Sequence, residues 1–406
     1  MRAPRSTRAG FSLMEMLVAT TIMMAVTGAI FGMMNPAQGT YQSQPEASDL
    51  QQRMRIGVDV LTKDIIMAGA GTYMGSNAGA LYNYFAPIMP YRAGELNPDG
   101  ASGVYYRADT ISLMYVPPTP AQTTVIKNFG NGNAQEIDVE PMRNCGADKH
   151  DQLCGFRDNQ HVLIYDVDGS WDMTTITQVQ DEALHLQHSG KLSSAYDSGT
   201  AQITEVATHT YYLKSDATSG TYQLMHYDGG QTDLPVVDNV IKLEFAYFGD
   251  PLPPMLVPGK SLCNTEENGP FTTYGPKPPC LSKDGTGGYL QGENCAFKVV
   301  NGVQVPRMDT LGTGGLGQVQ LTEAMLTDGP WCPGDDAENY PNRFDADLLR
   351  IRRVRITLRV QAALASLRGP AGLLFTHAGT AVSAQRLVPD QEIEFSVTPR
   401  NMTLGR

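Results

Sequence analysis

Hydrophobic residues follow three different patterns along this 406-residue chain. Near the N-terminus they run almost unbroken from Met16 to Met34. Further on they recur at steps of three and four, and later they alternate with polar residues. The unbroken run predicts a membrane-length helix. From Phe11 to Met34 it would extend about 36 Å at ~1.5 Å per residue. A bilayer core of about 30 Å is therefore crossed with some tilt. Arg2, Arg5 and Arg8 stand ahead of the run and predict a cytoplasmic N-terminus. No other segment is comparably long and apolar, so the rest of the chain is expected on the far side.

Asn35-Pro36 is expected to interrupt this helix, because proline removes a donor and crowds the preceding turn. Helical spacing then resumes at Leu50, Met54, Val58, Leu61, Ile65 and Ala68, an apolar face that should pack on a globular domain. Arg53, Arg55, Asp59, Lys63 and Asp64 mostly occupy other faces, and Gly69 and Gly71 end the element. Residues 72–103 read as loop. Strands are predicted at Thr110–Val116, His161–Asp166, Gln202–Leu213 and Thr221–Tyr227, the last two joined by the turn-rich Lys214–Gly220. Alternation returns through Val240, Leu243, Phe245 and Tyr247. It returns again where Val354, Ile356, Leu358 and Val360 alternate with Arg355, Thr357, Arg359 and Gln361, and finally at Ile393, Phe395 and Val397. Residues 249–345 are dense in Pro, Gly and Asn with weak periodicity, and predict a long irregular insertion whose length argues for a function.

Glu15 is the one charged side chain between Phe11 and Met34. A carboxylate costs roughly 2–3 kcal/mol at a membrane centre, less near the end of a span, and such residues usually have a partner or a task. The span holds no Lys or Arg. The series Gly10-Phe11-Ser12-Leu13-Met14-Glu15, behind a basic leader and opening an apolar helix, resembles the processing signal of type IV prepilins. That resemblance implies removal of residues 1–10 by prepilin peptidase after Gly10 and N-methylation of Phe11. It also implies that Glu15 registers the subunit on the amine of a neighbouring copy. A secretory signal peptide shares the basic start, but its apolar region is about 7–15 residues, and an acid at its front is out of place.

The similarity extends further. Leu50 to Gly71 resembles the second half of the stem helix of PilW-type minor pilins. Val237-Asp238-Asn239-Val240 through Phe245 to Asp250 resembles their central strand, Arg352 to Leu358 the next-to-last, and a Phe shortly before Arg400-Asn401 the closing one. Residues 249–345 have no counterpart in that family. The resemblance and the strand pattern together predict an α+β fold, a long N-terminal transmembrane/stem helix packed on a mostly antiparallel β-sheet pilin-like globular domain, to which composition and cysteine content add a long disulfide-rich insertion. The expected organisation is a leader (1–10), transmembrane helix (11–34), periplasmic stem helix (35–71), first part of the β domain (72–248), insertion (249–345) and closing strands (346–406). The expected role is that of a non-enzymatic minor pilin. Its partners would be other major and minor pilins through the helix, the peptidase/N-methylase, and the inner membrane before assembly. A pseudopilin of type II secretion and a surface-binding adhesin on a pilin stem are the alternatives.

Charge and cysteine content sharpen this. The formal net charge of −12 becomes −15 without the three leader arginines and argues against nucleic acid as a partner. Six cysteines, an even number outside the cytoplasm, predict disulfides. Cys145–Cys154 closes a short local loop, and Cys263–Cys280 and Cys295–Cys332 follow by proximity. Zinc at the cysteines is the rival, but no Cys-x-x-Cys occurs. Asp166, Asp168 and Asp172 around a glycine turn could hold calcium, although the full twelve-residue loop is missing and a solvated acidic turn is the simpler reading. Asp335, Asp336, Glu338, Asp345 and Asp347 form a second acidic group. Gly312 to Gly317 fits G-x-G-x-x-G but lacks the preceding strand and βαβ context. The seven histidines are scattered, with neither G-x-S-x-G nor H-E-x-x-H. No catalytic residues and no resident cofactor are expected.

Overall fold

The structure, a computed structural model, describes residues 10–71, 86–91, 106–117, 121–130, 136–142, 145, 149–166, 171–189, 192, 195–216, 220–229, 233–255, 270–272, 274–276, 293, 295–312, 314–315, 317–332, 334–335, 343–368 and 388–402. Side chains at 34–42, 221, 270–272 and 275–276 are outside that description. The chain divides into two compact units, Met1–Gln52 with Gln361–Gln391, and Arg53–Val360 with Glu392–Arg406.

Helix α1 runs Leu13–Met67 as one element, so Asn35-Pro36 does not end it. Proline deletes one backbone donor and crowds one turn, a local loss that the cooperative helical bonding on either side outweighs. In the first unit the apolar side chains of Leu13–Met33 are exposed. Thr20 Oγ1 donates to the Leu17 carbonyl at 3.0 Å, satisfying a polar group within the span. Further along, the buried Glu46 carboxylate accepts the Ala363 N–H. Arg368 donates to the Ala362 and Ala363 carbonyls, and Leu50 and Leu367 are buried.

In the second unit α1 ends where its glycines predict. Gly69 and Gly71 take φ of +73° and +71°, the left-handed region that glycine enters at little cost. The turn is sewn to the sheet: Gly69 N donates to Met114 O and Val116 N to Ala70 O, both at 2.9 Å. Asn401 Nδ2 donates to the carbonyls of Ile66 (3.3 Å) and Ala68 (3.5 Å), helix-end acceptors otherwise left open. Asn401 of the closing Arg400-Asn401 thus caps the helix. Gly57 allows the helix close to the sheet, since a Cβ there would stand 2.8 Å from Leu358 Cδ2.

The strands of this unit are, in order, β1 (Ile88–Met89), β2 (Thr110–Tyr115), β3 (Gln122–Thr124), β4 (Glu136–Asp138), β5 (His161–Tyr165), β6 (Trp171–Gln180), β7 (His185–His188), β8 (Gln202–Glu205), β9 (Ala207–Asp216), β10 (Thr221–Tyr227), β11 (Leu234–Asp238) and β12 (Val240–Gly249). Short ones follow, β13 (Pro270–Thr272), β14 (Gly275–Pro276), β15 (Phe297–Val300), β16 (Val303–Pro306), β17 (Val319–Leu321), β18 (Trp331–Cys332) and β19 (Phe344–Asp345), before β20 (Ile351–Val360) and β21 (Gln391–Val397). They form a five-stranded sheet β1-β2-β9-β10-β11, a four-stranded sheet β17-β12-β20-β21 and a six-stranded sheet β3-β8-β5-β6-β7-β4. The ladders of the five- and six-stranded sheets, and those joining β17, β12 and β20, are antiparallel, giving the expected α+β class. Leu243, Phe245 and Tyr247 of β12 face Leu358, Ile356 and Val354 of β20, all buried.

Further features differ from the sequence reading. The predicted strand Gln202–Leu213 is two strands: it breaks at Val206, with β8 in the six-stranded sheet and β9 in the five-stranded one. The six-stranded sheet has its own core, including Val125, Ile137, Phe156, Val162, Ile164, Ile176, Leu186 and Ile203. Residues 249–345 are not wholly irregular, because β17 joins β12 with Leu321 opposite Tyr247. Arg350, fully buried, pairs with Asp347 and donates to the carbonyls of Asp250, Pro251 and Asp309. It fastens both ends of that stretch's first part to β20. Arg352 pairs with Asp250 at 2.8 Å. Of the polar residues that alternate with the apolar ones along β20, Arg359 is buried, and so is Arg352 ahead of them.

Candidate functional site

The start of α1 carries the residues singled out for processing and assembly. Ser12 Oγ accepts the Glu15 N–H at 3.2 Å, and Glu15 Oε2 accepts the Ser12 N–H at 2.9 Å. This is a reciprocal capping box. The Ser12-Leu13-Met14-Glu15 series spells it, a local signal that the membrane pattern overshadows. Gly10 and Phe11 precede the first turn, with Phe11 93% exposed. A Cβ at Gly10 would meet no described atom within 4 Å, so packing among the described residues makes no demand for glycine there. Large apolar side chains from Leu13 to Met33 stand open on all faces of the helix. Surface of that extent is unstable in water and needs lipid or other helices.

Cys145 is bonded to Cys154 and Cys295 to Cys332. Cys263 and Cys280 lie outside the described residues. Of the calcium candidates, Asp166 and Asp172 are buried and already engaged. Asp166 Oδ2 accepts the Asp197 N–H at 3.1 Å, and Asp172 Oδ2 accepts the Tyr196 hydroxyl at 2.6 Å. They tie the 196–197 segment to the six-stranded sheet; Asp168 lies outside the described residues. In the second acidic group Asp345 accepts from the N–H groups of Asp347 and Gly329, both at 2.8 Å. Burial pushes the Asp345 carboxyl up to about 7 and that of Asp347 up to about 6, the latter opposed by Arg350. The glycine-rich 312–317 series lies between β16 and β17, with a strand rather than an α-helix following it.

One constellation has no counterpart among the sequence motifs. Asp64 of α1, His209 of β9 and His226 of β10 bring their ligand-type atoms within 4.8 Å of one another. His209 Nδ1 lies 2.8 Å from His226 Nε2 and 3.8 Å from Asp64 Oδ2. Tyr211 donates to Asp64 Oδ2, and Tyr115 Oη meets His209 Nε2 at 3.0 Å. The rings of Tyr115, His209, His226 and Tyr211 form a continuous stack at centroid spacings of 5.4, 5.0 and 4.7 Å. Strand alternation puts His209 and Tyr211 on one face of β9, and the register places His226 opposite Tyr211. Burial lowers both imidazoles below the ordinary histidine value, and Asp64 partly offsets this. Burial also raises the Tyr211 hydroxyl, with Asp64 adding to it. A signal existed: Asp64 sits three residues after Leu61 and four before Ala68, on the edge of the apolar stripe.

No protein-family profile matches the chain, and no solved structure matches it. The chain is similar to the pilin-like protein PilA3 of Thermus thermophilus, 27% identical over 143 residues. The match covers 34% of this chain and 57% of that relative. This similarity and the N-terminal apolar helix, the one helix of membrane length among the described residues, together support a type IV pilin-like protein.

Proposed function

We propose that the chain is a PilW-type minor pilin, a non-enzymatic subunit built into a type IV pilus through α1. In this reading prepilin peptidase cuts after Gly10 and the new amine of Phe11 is methylated. Leu13–Met33 holds the protein in the inner membrane with the C-terminal domain in the periplasm, until the helix moves into a bundle of pilin helices. The domain then reaches the cell surface, where it takes part in assembly, tip initiation or adhesion.

The observation that carries the proposal is the first turn of α1. An acid stands at the front of the exposed apolar stretch Leu13–Met33, four residues after a Phe whose preceding glycine meets no packing need among the described residues. The capping box occupies one carboxylate oxygen of Glu15 with a backbone donor. Removing residues 1–10 creates an ammonium at Phe11, and a carboxylate in an apolar bundle is stabilised by such a cation. Gly28 and Gly32, each open to a Cβ, leave one face of the helix smooth enough for close packing of a neighbour. The similarity to a pilin-like protein supports a pilin-family role.

The test is Glu15→Ala expressed in the native host. Cleavage should persist, while the amount of the subunit in sheared filaments should fall at least ~10-fold, the effect of losing about 1.4 kcal/mol or more of docking. Unchanged incorporation would sink the assembly role. Lost exoprotein secretion with intact pili on deletion would move the protein to the secretion system.

A further inference from the structure

Asp64, His209 and His226 sit where the second half of α1 meets β9 and β10, far in sequence from Gly10, Phe11 and Glu15. From their geometry we infer that they form a binding site for one divalent transition-metal ion of borderline softness, zinc being the natural occupant, that clasps the helix to the sheet. The site does not depend on the pilin reading.

The donor set decides the class of ion. Two imidazole nitrogens and one carboxylate suit zinc, nickel or copper, whereas calcium and magnesium prefer oxygen throughout. With metal–ligand bonds of about 2.0–2.2 Å in a tetrahedral sphere, donors lie about 3.3–3.6 Å apart. The observed 2.8 and 3.8 Å bracket that spacing. The longest separation in the trio, at most 4.8 Å, asks for side-chain shifts of about an ångström.

The surroundings match a ligand sphere. A histidine bound through Nδ1 must carry its proton on Nε2, and the other nitrogen of a metal-binding imidazole is normally held by an outer partner. His209 has that partner in Tyr115 Oη at 3.0 Å. Asp64 is likewise oriented by the Tyr211 hydroxyl. Metal binding needs unprotonated imidazoles, and burial favours that form at both histidines. The Asp64 and Asp228 carboxylates supply negative potential at the histidines, with Lys63 opposing. The His209 and Asp64 side chains keep 21% and 12% exposure, which leaves a path for an ion. Three protein donors leave room for water or one further donor, as in open zinc sites. The competing arrangement is a metal-free network in which His209 Nδ1–H donates to His226 Nε2 and Tyr115 to His209 Nε2.

The test uses the full chain in detergent micelles, stripped with a chelator and titrated calorimetrically with zinc chloride. One zinc per chain is expected, with a dissociation constant in the micromolar range or below. His226→Ala and His209→Gln should each weaken binding at least ~100-fold, beyond the ~10–100-fold of losing an outer partner. Tyr211→Phe keeps all three ligands and should stay within that smaller range. X-ray absorption at the zinc edge of the unsubstituted chain should resolve two imidazoles, a readout that stands if a histidine variant fails to fold. Absence of binding at ~100 µM zinc, zinc affinity indifferent to both histidines, or a zinc shell without imidazole would each overturn the assignment and leave the hydrogen-bonded network.

Discussion

Asp345 and Asp347 show how single residues set the chemistry of this fold. Both are buried, and both hold their protons well above the ordinary carboxylate range, at about 7 and about 6. Folded, they bind protons more tightly than unfolded, so stability falls with rising pH wherever the folded state binds the extra proton. Their contribution is therefore full below about pH 4 and is lost as pH rises through about 6–7. Thermal melts should show a higher Tm at pH 5 than at pH 7.5, and Asp345→Asn should flatten that slope. An unchanged slope in the variant would contradict the assignment. Gly71 is the second residue with a sharp consequence. Its φ is +71°, and a Cβ would stand 2.6 Å from the Val116 carbonyl oxygen. Gly71→Ala meets backbone that has no flexible end to move, and should lower stability by about 2 kcal/mol or more. A Tm within a degree of the parent would refute the close approach. Gly71 is legible in the sequence as a helix terminator, because a glycine after a periodic run has a local meaning. Its neighbour Val116 is not, since pattern alone does not bring the two together.

At the level of elements, legibility follows pattern strength. β10 is readable with its observed bounds, since Thr221–Tyr227 lies between two turn-rich segments. β12 and β20 emerge from alternation, because one face of each is core. The six-stranded sheet is mostly hidden. β6, with the sequence Trp-Asp-Met-Thr-Thr-Ile-Thr-Gln-Val-Gln, and β7, His-Leu-Gln-His, are polar at most positions, and their strand character rests on threonine propensity and on neighbours. The β15–β16 hairpin carries a local signal that the surrounding irregular sequence masks: Asn301-Gly302 between Val300 and Val303 takes the double positive φ of a two-residue hairpin turn. Cys145–Cys154 closes a loop beside this sheet, with Leu153 and Phe156 in the core of the six strands. Replacing both cysteines with serine should cost about 2–3 kcal/mol, read as a lower Tm for the domain. A stability equal to the parent's would mean the bond constrains nothing. Asn401→Ala removes a donor to two helix-end carbonyls. It should cost about 1 kcal/mol and increase hydrogen exchange near Ile66, whereas equal exchange would deny the cap.

For the molecule as a whole, the sequence is most informative where physics is one-dimensional. Membrane length, a basic flank and one misplaced acid can be read residue by residue, and they direct attention to Gly10, Phe11 and Glu15. What escapes such reading is made by long-range encounter: Asp64 with His209 and His226, and Arg350 reaching the carbonyls of Asp250, Pro251 and Asp309. Both depend on strand register and helix docking, which no local pattern encodes. The central claim, however, is local. Intact-mass and terminal-peptide mass spectrometry of the protein from native membranes and from sheared surface material tests it most directly. The account predicts one polypeptide beginning at N-methylated Phe11 in both fractions. A chain that retains residues 1–10, or that begins at any other residue, would contradict it.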